Sequence, residues 1–255
     1  MKDTIIIENK KIKLKNPILL VGLPGVGNIG KIVARHMIKE FKAQRIATLY
    51  SPHFPYHVLM TKKGSVRMMT NKFYYLNTKT EQDIIMLTGD FQAITPEGQY
   101  DINERIVTFF KEKLGGSYIF TIGGYISNAG TIKEPRVFSN ATDKKLMENL
   151  KNHGVIFGES KGYILGSAGM IVGFGKMHNI PSACIMGEAY VDYDASAAKA
   201  VMGVLSKQLK LKIKTEDLDD VIKKTISDIN KMGDTMPQNL QLPPYDTSNS
   251  PSYIR

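Results

Sequence analysis

The sequence predicts an α/β layer protein. Short apolar runs of strand length recur along the chain, several of them close on glycine, and segments of helical apolar spacing stand between them. Thr4–Glu8 and Lys11–Lys15 read as two strands joined at Asn9–Lys10, because Ile12 and Leu14 alternate with Lys11, Lys13 and Lys15. Pro17–Val21 is a continuous apolar run, the pattern of a strand covered on both faces. It runs into Gly22-Leu-Pro-Gly-Val-Gly-Asn-Ile-Gly30. A helix then follows through Phe41, carrying Ile29, Ile32, Val33, Met37 and Phe41 near helical spacing, and Arg45–Tyr50 is the next strand. Together these form a strand–turn–helix–strand unit.

The stretch from His57 to Leu76 reads as short strands around a turn at Lys63-Gly64, and Asp83–Thr88 is an apolar strand ending at Gly89. Pro96 precedes a helix over Glu97–Leu114, which Gly115-Gly116 stops. Tyr118–Ile122 is a buried strand, and Asp143–Asn152 is a helix for which Asn140 and Thr142 are candidate caps. Gly154–Phe157, Met170–Phe174 and Ser182–Met186 read as strands, and Ala195–Lys210 as an alanine-rich helix. A last helix is expected over Thr215–Met232. Its Leu218, Val221, Ile222, Thr225, Ile226 and Ile229 form a stripe that packs on the domain or on another subunit. Residues 1–232 are therefore expected to form one α/β domain. Asp234–Arg255, rich in Pro, Asn, Gln, Ser and Asp, is expected to be a mobile tail.

Composition narrows the function classes. A chain of 255 residues, 42% hydrophobic and 23% charged, can bury a core without disulfides. Its single cysteine, Cys184, excludes an internal disulfide and a multi-cysteine zinc site. No apolar run approaches the roughly 18 residues of a membrane span, and the start, MKDTIIIENKK, is not a signal peptide. A cytoplasmic protein with no membrane partner is expected. Residues 1–80 hold 15 Lys+Arg against 3 Asp+Glu, a net of +12, and the remainder holds 19 against 21, a net of −2. Lysine-rich solvated faces account for much of this asymmetry. With no RNP, helix-turn-helix or zinc motif beside it, nucleic acid is not expected as a partner.

Gly25-x-Gly27-x-x-Gly30, with Gly22 at the strand end, has the spacing of a dinucleotide turn. There the helix N-terminus would face an anion. The acidic residue that would hold a ribose is missing, because the next strand ends Thr48-Leu-Tyr-Ser-Pro-His53. The turn is thus a candidate nucleotide or small-anion site, or a tight turn that needs close backbone packing. Gly30-Lys31-Ile32 lacks the hydroxyl of a phosphate-loop ATPase. His53 and His57 are separated by Pro55, and His36, His153 and His178 stand in no metal-ligand motif. Ser167 lacks the glycine two residues before it that a nucleophile elbow needs, since Leu165 stands there. Cys184 lies in an apolar strand, where a thiol is usually inert core, and Glu188, Asp192 and Asp194 beyond it stand where carboxylates can be catalytic, although the two aspartates read rather as caps of the alanine-rich helix. No nucleophile–base pair, metal or cofactor is expected.

Gly22-Leu-Pro-Gly-Val-Gly-Asn-Ile-Gly-Lys31, Gly89-Asp90-Phe-Gln92, Thr121-Ile-Gly-Gly-Tyr125, Gly162–Gly169 and Gly187-Glu-Ala follow one another along the chain. In this order, over roughly residues 16–230, the sequence resembles the archaeal proteasome assembly chaperone two family. The resemblance implies a three-layer sandwich, with a mostly parallel or mixed central sheet and helices on both faces, of phosphorylase-like type and without established catalysis. It also implies a homo-oligomer that docks on proteasome α-subunits or serves as an ATP-independent assembly factor. Some members end in a hydrophobic–tyrosine–any-residue motif that inserts between α-subunits. This chain ends Tyr253-Ile254-Arg255, with an aromatic third from last and Ile254 in the place of the tyrosine. These three residues are the candidate partner-binding end.

Overall fold

Ile18–Val21 (β2) is buried at all four positions, and the sheet extends from it in both directions. The computed structural model describes residues 1–61, 64–78, 80–126, 134–158 and 162–220. Within them an eight-stranded sheet runs in the order β1 (Ile5–Glu8), β3 (Gln44–Tyr50), β6 (Asn71–Leu76), β7 (Ile84–Gly89), β2, β8 (Tyr118–Ile126), β10 (Ser182–Ala189), β9 (Val137–Ala141). Strands β7, β2, β8 and β10 are mutually parallel, and β3 points the same way through the antiparallel β6. β1 and β9 pair antiparallel at the two edges. A separate hairpin joins β4 (Leu59–Met60) and β5 (Val66–Arg67).

Strand alternation divides the core in two. Leu20, Met86, Phe120 and Ile185 face α1 (Ile29–Glu40), α3 (Lys144–Asn152) and α5 (Ala195–Gln208). Leu19, Leu87, Phe73 and Ile119 face α2 (Pro96–Glu112) and α4 (Ser167–Met177). The result is the expected three-layer α/β sandwich with a mixed sheet. Among the described residues no helix is long and apolar enough to cross a membrane.

Several elements differ from expectation. Lys11–Lys15 joins no ladder. Ile12 and Leu14 are half-buried against the α2-side core, so their alternation records one-sided burial without strand pairing. The backbone there is tied at Lys15, whose N–H donates to Asp83 Oδ2 at 2.6 Å. Met170–Phe174 lies inside helix α4, and Gly154–Phe157 contributes only an isolated bridge from Ile156 to Phe138. Strand β9 was not anticipated. Asp143, rather than Asn140 or Thr142, caps α3, accepting the Leu146 N–H at 2.8 Å. Leu218 is buried beside Leu209 and Leu211 in the α5-side core, in a turn of helix that begins after Thr215. Val221, Ile222, Ile226, Ile229 and the rest of the expected helix and tail lie outside the described residues.

Candidate functional site

Five strands end on the same edge, and four of the five glycine-bearing motifs lie there because each follows or ends one of them, while Gly162–Gly169 leads into α4. After β2 the chain turns through a short 3₁₀ segment, Val26–Asn28, into α1. A Cβ on Gly22 would lie 2.2 Å from the Gly30 carbonyl oxygen, and one on Gly30 would lie 2.6 Å from the Ile122 carbonyl oxygen. Both positions need hydrogen so that the turn, α1 and β8 can touch. Gly27 has φ +60, and a Cβ there would meet the Ala189 Cβ at 2.9 Å. Gly25 is less crowded, with Gln92 Nε2 at 3.7 Å from the Cβ position. Protein atoms thus lie against the Cβ positions of Gly22, Gly27 and Gly30, so at these three positions glycine permits close packing of the turn, α1 and the strand ends.

One side chain ties these motifs together. Gln92 donates from Nε2 to the Pro24 carbonyl at 2.6 Å and accepts the Ser167 N–H on Oε1 at 2.8 Å. It joins the β2–α1 turn, the β7–α2 loop and the start of α4. Thr88 Oγ1 donates to the Gly22 carbonyl at 2.7 Å, and the Asp194 N–H donates to the Gly27 carbonyl at 2.8 Å. Gln92 stands in a motif noted in the sequence, but its partners lie 68 and 75 residues away, so spacing carried no sign of its role.

The groups that could have carried chemistry are engaged structurally. Ser167 Oγ donates to Gln99 Oε1 at 3.3 Å. Asp194 caps α5, accepting the N–H groups of Ala197 at 2.9 Å and Tyr190 at 3.0 Å. Buried Glu188 meets Arg136 through both oxygens at 2.9 and 3.0 Å, and the guanidinium stacks over Phe138 at 4.9 Å. Burial pushes the Cys184 thiol up to about 11, beyond the useful range of a nucleophile. His53 Nε2 stands 3.7 Å from Asp101, and Asp101 also accepts from Thr4, which bonds Ser51. This chain fastens β1 to α2. His36 contacts the Lys214 carbonyl, His57 packs edge-on against Phe91, and His153 and His178 end α3 and α4. Among the described residues no group of His, Cys, Asp and Glu could hold a metal ion.

Around this network stands a rim of exposed apolar side chains: Phe91 and Ile94 after β7, Tyr125 and Ile126 ending β8, Tyr163 and Leu165 before α4. Ile126 is 66% exposed and Tyr163 78%. A gathered rim of this kind suits recognition of another surface. Sequence reasoning missed it, because each residue belongs to a different loop. The predicted end residues Tyr253, Ile254 and Arg255 lie outside the described residues.

Comparison with known proteins matches both fold and sequence. PbaB of Pyrococcus furiosus, an archaeal proteasome activator, superposes with a TM-score of 0.86 at 35% identity, covering 91% of this chain and 100% of that one. PbaA of the same organism, an archaeal homolog of proteasome-assembly chaperone, shares the fold at 22% identity with a TM-score of 0.76, over 91% of this chain and 92% of that one. The uncharacterized protein MJ1210 of Methanocaldococcus jannaschii is 34% identical over 220 residues, which are 84% of this chain and 83% of that one. These likenesses give the phosphorylase-like label no separate support. The model of the PAC2 family matches residues 19–232, from the first central strand through the last expected helix, and the chain accordingly belongs to the PAC2 family.

Proposed function

We propose that the protein is a non-enzymatic, homo-oligomeric scaffold that docks on proteasome α-subunits and acts without ATP in proteasome assembly or activation. The observation that carries this is the 35% identity to an archaeal proteasome activator across 91% of this chain and the whole of that one. The carboxyl edge of the sheet supports it. Its hydroxyl and carboxyl groups hold loops together, while its rim offers apolar surface to a partner. The partner-binding end on this proposal is Tyr253-Ile254-Arg255, whose aromatic ring and terminal carboxylate suit a pocket with a cation beside it. Several tails on one oligomer would act together by avidity. The stripe that Leu218 opens, continuing through Val221, Ile222, Ile226 and Ile229, is proposed to join copies or to pack beyond α5. The setting is the cytoplasm.

The test is capture of purified proteasome α-subunits by the full chain and by a chain lacking residues 234–255. Association that weakens on truncation is expected. No association of either form at micromolar concentration overturns the proposal. Light scattering should give a mass above the 28.5 kDa of one chain.

A further inference from the structure

One part of the sheet is left largely uncovered by the described helices: the α1-side face of β1 and β3 and the Lys72 end of β6, whose other end packs Tyr74 and Leu76 into the α1-side core. The strand registers fix which residues share it. Ile5 lies opposite Tyr50, Ile7 opposite Thr48, Thr48 opposite Lys72, and Arg45 opposite Tyr74. Directly opposed residues share a face. Their neighbours Ile6, Leu49 and Phe73 go instead to the α2-side core. Ile5 and Ile7 are left 44% and 48% exposed.

Positive charge gathers beside these isoleucines. Asp90, just past β7, receives Arg67 on both oxygens at 2.6 and 2.9 Å and the Thr70 N–H at 3.1 Å. Lys31 on α1, with Arg35 beside it, comes up to the same carboxylate, as Lys72 does from β6. Burial holds Lys31 and Lys72 below the ordinary lysine range. Asp90 pulls against that shift, while Arg35 and Arg67 beside Lys31, and Arg67 and Arg45 beside Lys72, add to it. Asp90 is committed to Arg67, and Lys31, Arg35, Lys72 and Arg45 leave an excess of positive charge there.

We infer that this open face docks an acidic segment of a partner protein, its carboxylates over Arg45 and Lys72 and its aliphatic side chains on Ile5 and Ile7. Charge complementarity selects an acidic occupant, and the exposed isoleucines decide its class. A single-stranded nucleic acid stacks on open aromatic rings, but Tyr50 and Tyr74 are half-buried here, and the exposed apolar groups are aliphatic. A second copy would bring the same basic face against this one. Residues 234–255 carry only Asp234 and Asp246 against Arg255. The inference is independent of the identity of the proposed partner above.

The test is fluorescence anisotropy on the full-length protein with a labelled peptide of repeated Glu-Glu-Leu-Ile, beside labelled repeated Ser-Ser-Leu-Ile and labelled oligothymidylate. The acidic peptide is expected to bind, and to bind less well as salt rises, while the serine peptide binds far more weakly. Joint Arg45→Glu and Lys72→Glu substitution should weaken the acidic peptide by at least about tenfold. Joint Ile5→Ser and Ile7→Ser substitution should weaken it several-fold without changing its salt dependence. Thermal melting checks that the variants fold, and Arg45→Gln with Lys72→Gln serves if the reversal does not. No binding of the acidic peptide, equal binding of the serine peptide, tighter binding of oligothymidylate, or variants that bind like the parent each overturn the inference. So does a drop in oligomer mass on charge reversal without peptide binding, which would assign the face to a second copy.

Discussion

The half of the sheet made of β7, β2, β8 and β10 and the half made of β1, β3 and β6 are built to different rules. In the first, helices lie on both faces and strands read Ile-Leu-Leu-Val or Ile-Ile-Met-Leu, buried at nearly every position. In the second, the α2 side is covered, while on the α1 side only Leu76 and Tyr74 of β6 join the core, and β6 alternates buried Phe73 with half-buried Lys72 and Tyr74. The number of covered faces sets the strand composition. The first half buries its strands on both faces, and the second leaves Ile5 and Ile7 exposed.

Truncation of one side chain in each half breaks or sharpens this contrast most directly. Leu20→Ala should cost about 2–5 kcal/mol in denaturant unfolding, because a fully buried side chain leaves a cavity. Ile7→Ala, on the open face, should stay within about 0.5 kcal/mol. Similar losses at the two sites would remove the distinction. Gly30→Ala comes next. Its new Cβ must displace the backbone of Ile122 and Leu23, and about 1–3 kcal/mol of overpacking should appear in the melting temperature. Gln92→Ala leaves the Pro24 carbonyl and the Ser167 N–H without this partner. A loss of about 1–2 kcal/mol is expected, with faster amide exchange in the β2–α1 turn and at the start of α4.

The smallest effect is the acid dependence of Asp90, just past β7 where the two halves meet. Burial alone would raise its carboxyl, but the hydrogen bonds from Arg67 and Thr70 and the nearby cations hold it below the ordinary carboxylate range. The unfolded chain therefore takes up this proton first as pH falls. The stabilisation is present at neutral pH and fades as pH falls through the carboxylate range. The half-exposed Arg67 limits its size by screening. Urea midpoints measured from neutral to acid pH should fall less steeply for Asp90→Asn than for the parent chain.

The same contrast explains which parts were legible in the sequence. Ile18–Val21 announced a strand covered on both faces, and Pro96 and the alanine-rich run announced α2 and α5. Lys11–Lys15 misled, because alternation reports burial on one side and is silent about backbone pairing. Met170–Phe174 misled because a short apolar run fits a strand and one face of a buried helix equally well. At the site, Gly22 and Gly30 were legible as a strand-to-helix turn, yet their spacing suits a phosphate and a close backbone contact alike. Gln92 and the apolar rim were not legible, since their meaning depends on loops brought together from distant parts of the chain.

Local patterning by itself determined the layer class, the strands β2, β7, β8 and β10, the helices α1, α2, α3 and α5, and the motif series that marks the family. It did so because burial on one face or two writes a period into the nearest residues. Only the tertiary structure decided that Gly22, Gly27 and Gly30 meet protein at their Cβ positions, that Gln92 ties three loops together, and that Ile5 and Ile7 stay exposed on the sheet face that carries Arg45 and Lys72. Those outcomes depend on strand register and on contacts between residues far apart in sequence, and no local period encodes either.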